Sequence, residues 1–318
     1  MTTARMGLGL AALGRPAYLT KGRAHDLGTA RTVDDLRALT ARTLDAAYDA
    51  GVRYVDAARS YGLSEDFLAS WLRSRPDVDD VTIASKWGYT YVGDWRLDVA
   101  VHEVKEHSLE AYERQVAETR GLLGDRLDVY QTHSVTPDSP LLTDTDLQQA
   151  VGELRDQGVR VGISTSGPAQ AEAVRRALDL EVAGRRLVTV VQSTWNLLEQ
   201  SVGAALQEAA DAGVHVVVKE GVANGRLSPG ADDGSDAAMR AQTLASDRGV
   251  SVDQVALAAI LHQPWAGHVL SGAAAPEQVV SNVQAEHLAL SSDELAELTA
   301  SPETPDEYWE RRSQRPWA

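Results

Sequence analysis

The stretch Tyr54 to Gly62 reads YVDAARSYG, with a carboxylate, Asp56, closing a short apolar run and a phenol, Tyr61, in the loop behind it. An acid at the end of a buried strand is costly unless a cation pairs with it. Lys86 follows the apolar run VTIAS and His133 follows LDVYQT, so a cation and an imidazole end two further runs. A phenol ordinarily titrates near 10 and is a weak acid at neutral pH. A cation within about 4–6 Å lowers that value. Lys86 is the expected counter-ion of Asp56 and the expected activator of Tyr61, and His133 can orient a carbonyl oxygen toward the phenol. Such a set protonates an oxyanion while hydride arrives at carbon. Each residue also has a plainer use, as a structural ion pair, a packing tyrosine or a core histidine. What sets them apart is their place on the elements that carry them.

Those elements alternate. Apolar strands are expected at MGLGL and at 52–55, 81–84, 127–131, 159–163, 187–191, 213–218 and 267–270, with amphipathic helical segments between them. Leu36, Leu39, Thr43, Leu44, Ala47 and Tyr48 recur at three and four, a helix face that stops at Gly51. Strands apolar throughout are buried on both faces, as in parallel sheets. Eight βα units without a Pro/Gly/Ser-rich break predict a single (β/α)8 TIM barrel over 1–318, with a C-terminal helix and a tail, 302–318, placed to close the site. A doubly wound sheet would want Gly-x-Gly-x-x-Gly opening a helix, and Gly7-Leu8-Gly9 lies inside the first strand instead. In a barrel the chemistry sits at the C-terminal strand ends, where the eight loops converge. Asp56, Lys86, His133, Ser164, Gln192 and Lys219 all fall there.

Composition narrows the partners. The 318 residues carry 46 acids against 30 Lys plus Arg, a formal charge of −16, which argues against a nucleic-acid binder. Zero cysteines excludes disulfides, thiolate metal sites and Cys nucleophiles, and no metal is expected. No apolar run approaches a membrane span. MGLGLAAL is short for a signal core and Arg15 stands where a cleavage site would be, so a cytoplasmic protein acting on a small molecule is expected.

The sequence resembles the aldo-keto reductases over nearly its whole length. The resemblance rests on DAARSYG at 56–62, Ser85-Lys86, and QTH at 131–133. It implies a (β/α)8 barrel binding NADP or NAD without a Rossmann domain, and a carbonyl or alcohol substrate. By this likeness Tyr61 is the general acid, Lys86 lowers its pKa, Asp56 supports Lys86, and His133 positions the substrate. Gly9 and Asp56 would line the cofactor, and Ser164, Thr165 and Gln192 would hold the nicotinamide carboxamide. Thr165 stands where an Asn is more usual. Ser271, Gly272, Ala273, Gln278 and Asn282 align with the segment clasping the adenosine phosphate.

The sequence departs from that family in two places. Lys219, followed by Glu220 and Gly221, occupies the position of an aromatic that stacks on the nicotinamide. The segment SGAAAPEQVVSN has no Arg or Lys to meet a 2′-phosphate, so a weak preference between NADPH and NADH is expected. Trp87, Tyr89, Tyr91 and Trp95 crowd one loop and are expected to wall the substrate pocket, with Tyr308, Trp309 and Trp317 in the tail. Two other readings stay open: a Schiff-base lyase using Lys219, and a cofactor-binding regulatory protein with vestigial turnover.

Overall fold

The computed structural model describes residues 5–17 and 31–315; Trp317 and the last residues of the expected tail lie outside them. Eight parallel strands close into a barrel in the order β1-β12-β11-β10-β7-β6-β3-β2. They are β1 (Met6–Gly9), β2 (Tyr54–Asp56), β3 (Thr82–Trp87), β6 (Val129–Val135), β7 (Arg160–Thr165), β10 (Val190–Thr194), β11 (His215–Lys219) and β12 (His268–Ser271). Two antiparallel hairpins are added outside it, β4 (Tyr89–Tyr91) with β5 (Glu103–Lys105), and β8 (Glu181–Val182) with β9 (Arg185–Arg186). Neither hairpin was expected from the sequence. Helices alternate with the barrel strands, and their starts are written locally. Thr32 and Asp35 form a capping box before the helix Val33–Asp49, and Ser108 and Asp144 cap two others.

Side chains of successive strand residues point to opposite faces. Tyr54, Ala84, Val129, Val190, Val217 and Leu270 form an apolar cluster inside the barrel, separate from the large core between sheet and helices. The valines and leucine among them each stabilise the fold by about 1.5–3 kcal/mol when fully buried. Two residues on from that layer, on the same inner face, stand Asp56, Lys86, Gln131 and Gln192. The first strand stops one residue short of MGLGL, and the other seven run one to four residues further than the apolar runs suggest, so the polar residues at their ends are part of the sheet. Those ends are polar, which is why hydrophobicity alone stops short of them.

Among the described residues no helix is long and apolar enough to cross a membrane.

Candidate active site

Tyr61 reaches the mouth on a loop pinned from three sides. Ala57 N–H donates to Ala84 O at 2.8 Å, Arg59 N–H to Lys86 O at 3.0 Å, and Leu63 N–H to Gly14 O at 2.7 Å. Gly62 has φ +60°, and a Cβ there would lie 2.4 Å from Gly14 O. A Cβ on Gly14 would meet Tyr61 O at 2.1 Å. Glycine at both positions lets the loop after β1 lie directly on the tyrosine loop. Behind the loop, Arg59 pairs with buried Glu65 at 2.5 Å. Glu65 accepts from Ser85 Oγ at 2.5 Å and Thr119 Oγ1 at 2.9 Å. Glu65, the second residue of the helix Ser64–Ser74, was not expected from the sequence, since its role shows only once Arg59 is placed.

The four expected groups meet. Lys86 Nζ donates to Asp56 and to Ala57 O at 3.0 Å, and lies 3.5 Å from Tyr61 Oη. His133 Nε2 is 3.5 Å from the same oxygen, and its Nδ1 is 3.4 Å from Ser60 Oγ. Lys86 is fully buried, and Tyr61 and His133 are 8% and 9% exposed. Arg15, not anticipated, packs its guanidinium 5.3 Å above the Tyr61 ring and donates to Ser60 O and Glu103 at 2.8 Å each.

Burial pushes the Tyr61 phenol well above its ordinary value, the Asp56 charge adds to the rise, and Arg15 opposes it. Lys86 Nζ, 3.5 Å from the phenol oxygen and paired with Asp56, does not overcome that rise. A phenol so placed holds its proton at neutral pH. Burial likewise drives His133 well below its usual range, with Lys86, Lys219 and Arg15 repelling a further positive charge. His133 is therefore neutral and has one N–H to offer a carbonyl.

The expected cofactor residues divide. Ser164 is buried on the inner face, and its Oγ accepts from Ser134 N–H at 2.9 Å. Gln192 donates its amide to Asp56 Oδ1 at 2.9 Å, so it is tied to the acid in this structure. Thr165 points outward by strand alternation, its hydroxyl 2.7 Å from Ser193 Oγ and 3.3 Å from Gln170 Oε1. Its side chain does not reach the mouth. Gly9 ends β1 beside Asp56. Ser271 donates to Asn282 Oδ1 at 2.7 Å, and its Oγ accepts from Ala273 N–H at 3.2 Å. Gln278 accepts from Ala274 N–H at 2.8 Å, and Asn282 donates to Asp253 at 2.8 Å. A Cβ on Gly272 would meet nothing within 4 Å, so that backbone is open to approach.

Lys219 ends β11 on the inner face, its ammonium donating to Thr194 Oγ1 at 2.7 Å and 3.7 Å from Glu220. Burial pulls its pKa down to about 8, and Glu220 opposes that fall. Burial would raise Glu220, but Arg312 and Lys219 outweigh it and hold that carboxyl well below its usual range. Arg312 comes from the last helix, Pro305–Ser313, and donates Nε–H to Glu220 Oε2 at 2.9 Å. From the same helix Trp309 lies 5.8 Å from Lys219 Nζ, and Tyr308 Oη accepts from Asn196 at 3.0 Å. Glu220 has φ +57°, a left-handed residue held by these contacts. Gly221 packs tightly behind it, where a Cβ would lie 2.7 Å from the Ile260 side chain.

The expected aromatic wall is mostly elsewhere. Trp87 follows inward Lys86 and so faces out, 1% exposed, edge-on to Tyr112 at 5.1 Å. It belongs to the core between sheet and helices, and the expectation that it lines the pocket is wrong. Trp95 packs against Phe67 at 6.2 Å and donates to Arg31 O at 2.9 Å. Tyr91 Oη accepts from Trp95 N–H at 3.1 Å, and Tyr89 meets the site, its ring 5.1 Å from that of His133.

A closed parallel barrel with an enclosed acid, lysine, phenol and imidazole at its C-terminal mouth matches one family over almost the whole chain. The profile of the aldo/keto reductase family covers residues 5–303, and the chain belongs to that family. It is similar to the protein tas of Escherichia coli strain K12, 27% identical over 312 residues, covering 81% of this chain and 87% of the relative. It is also similar to the NADH-specific methylglyoxal reductase of that strain, 27% identical over 327 residues and covering 92% of each chain. An aldo/keto reductase structure from Klebsiella pneumoniae, in complex with NADP and acetate, aligns with TM-score 0.65 at 23% identity, over 96% of this chain and 95% of that one. This last likeness is one of fold.

Proposed function

We propose that the protein is an NAD(P)(H)-dependent carbonyl reductase, or its reverse, an alcohol or sugar dehydrogenase, working in the cytoplasm as one barrel domain. The observation that carries this is the enclosed group of Tyr61, Lys86, Asp56 and His133. A carbonyl oxygen placed between Tyr61 Oη and His133 Nε2 would receive a hydrogen bond from the neutral imidazole and the proton from the phenol. The reduced cofactor, NADPH or NADH, would supply the hydride and leave as NADP⁺ or NAD⁺. The Lys86 ammonium, kept charged by Asp56, would stabilise the phenolate that forms. Ser164, the backbone at Gly9 and Gly272, and the corner of Lys219, Glu220 and Gly221 would hold the cofactor, with Gln192 once released from Asp56. The last helix would close that corner through Arg312 and Trp309.

Weak discrimination between the two cofactors fits the adenosine segment. It lacks Lys and Arg, and Asp253 stands against Asn282 where a 2′-phosphate would approach. One relative is named for NADH and one solved neighbour holds NADP. The lyase reading is less well supported, because Lys219 is engaged by Thr194 and Glu220.

The test is Tyr61→Phe. Loss of reductase activity by about 10²–10⁴-fold is expected, with cofactor affinity within a few-fold, since the phenol is asked only for a proton. A Phe variant retaining more than about a tenth of the rate would remove Tyr61 as the acid.

A further inference from the structure

His133 does not sit on a regular strand. The pairing of β6 with β7 shifts register between Thr132 and Val135, and Ser134 has φ +54°. A left-handed conformation in a residue other than glycine costs on the order of 1 kcal/mol and persists only where the surroundings dictate it.

Three contacts dictate it. Ser134 N–H donates to Ser164 Oγ at 2.9 Å. The other two come from the β5 side of the outer hairpin. Lys105 Nζ donates to Ser134 O at 2.9 Å, and His107 Nε2 to His133 O at 2.8 Å. Since a carbonyl only accepts, Nε2 of His107 carries the proton. The ring is 5% exposed, and it lies edge-on to Tyr89 at 6.3 Å. Tyr89 pairs with Lys105 across the hairpin and turns its ring to His133. Gly88, at φ +108°, makes room: a Cβ there would lie 2.6 Å from the His107 ring. The hairpin thus grips both the backbone and the ring of the imidazole that faces Tyr61.

We propose that the β4–β5 hairpin is a positioning element for His133, with Lys105 and His107 fixing the bulge that aims its imidazole into the mouth. This rests on the reductase reading, and neither residue touches the reacting atoms.

The experiment compares His107→Leu, His107→Gln and Lys105→Met with the wild-type chain. It reads carbonyl reduction, binary cofactor affinity, thermal midpoint and the ring resonances of His133 by ¹⁵N-histidine NMR. A misplacement near 1 Å can cost on the order of 10²-fold, so His107→Leu should lower kcat by about 10-fold or more. Its cofactor affinity should stay near wild type, and the His133 resonances should move. His107→Gln, which retains a side-chain N–H donor, should recover part of the loss. Lys105→Met, an exposed residue, should show a smaller loss in the same direction. A folded His107→Leu protein with wild-type kcat and unmoved His133 resonances overturns the proposal. If His107→Leu does not fold, Lys105→Met decides by the same two readings. A wild-type chain with no reductase activity would sink the functional reading alone, and the His133 resonances would still report on the hairpin.

Discussion

The two ends of the barrel are built from the same strands and could hardly differ more. Strand β2 carries Tyr54 low and Asp56 high, and β11 carries His215 low and Lys219 high. At the lower end His215 Nε2 lies 2.8 Å from His268 Nδ1, and the Tyr54 ring stacks on His268 at 4.6 Å. Burial lowers His268 to about 4 and also depresses His215, with Arg160 repelling both. The lower plug is therefore neutral at pH 7. The upper end buries Lys86, Asp56, Lys219 and Glu220 as ions. Replacing buried ion pairs by apolar groups is often neutral or stabilising, so four retained charges mark the end where charge is used. The lower end shows what the same strands hold when nothing but packing is required.

The largest break expected in this comparison comes from Lys86→Met. Turnover should vanish from view, and the fold should lose about 3–5 kcal/mol because Asp56 stays buried without its partner. Asp56→Asn should cost less on both counts, since the amide still accepts from the ammonium. Leu at His268 should leave kcat within about two-fold, because the lower end takes no part in chemistry. Steady-state kinetics with urea unfolding checks all three, and a slow His268→Leu enzyme would erase the distinction.

Acid should strain the lower end first. His268 has a folded pKa below its ordinary 6.5, so between about 4 and 6.5 the unfolded chain binds more protons. Its stabilising contribution is complete above 6.5 and is lost as pH falls toward 4. The groups facing it are His215, Arg160 and Arg5, all of which oppose a new positive charge. Thermal midpoints measured from pH 7 to 4 should fall less steeply in His268→Leu than in the wild type. Parallel curves would mean that the pair does not set acid stability.

The smallest effect concerns Lys219. Below pH 8 its ammonium would disfavour an oxidised nicotinamide held beside it, by about 1 kcal/mol when partly screened. Lys219→Tyr should tighten the oxidised cofactor relative to the reduced one by roughly five-fold at pH 7, with reductase turnover kept. Fluorescence titration of both forms checks this. An unchanged ratio would place the charge away from the ring, and a dead enzyme with normal cofactor binding would revive the lyase reading.

What could be read from sequence divides along the same line as the molecule. The eight strands were legible because apolar residues run along both of their faces below the mouth, and Asp56, Lys86, Tyr61 and His133 because each stands at or just past a strand end. Trp87 was misread although the means to place it were present: if Lys86 points in, the next residue points out. Thr165, one residue after Ser164, turns away for the same reason. Arg312 and Trp309 could not be assigned to Lys219 and Glu220, since nothing local says where a tail docks. The β4–β5 hairpin hid behind its aromatics, which looked like pocket wall when two of them were packing.

The bond from Gln192 to Asp56 has a geometric meaning of its own. In the closed order of strands, β2 and β10 are four steps apart in either direction, which makes this hydrogen bond a diameter of the ring. It crosses the bore one level above the apolar layer of Tyr54, Val190 and Val217. Whatever enters the mouth meets a polar crossbar there and can go no deeper without cutting it. While that bond is made, two residues on opposite walls set the depth of the site, directly above the apolar layer that fills the bore.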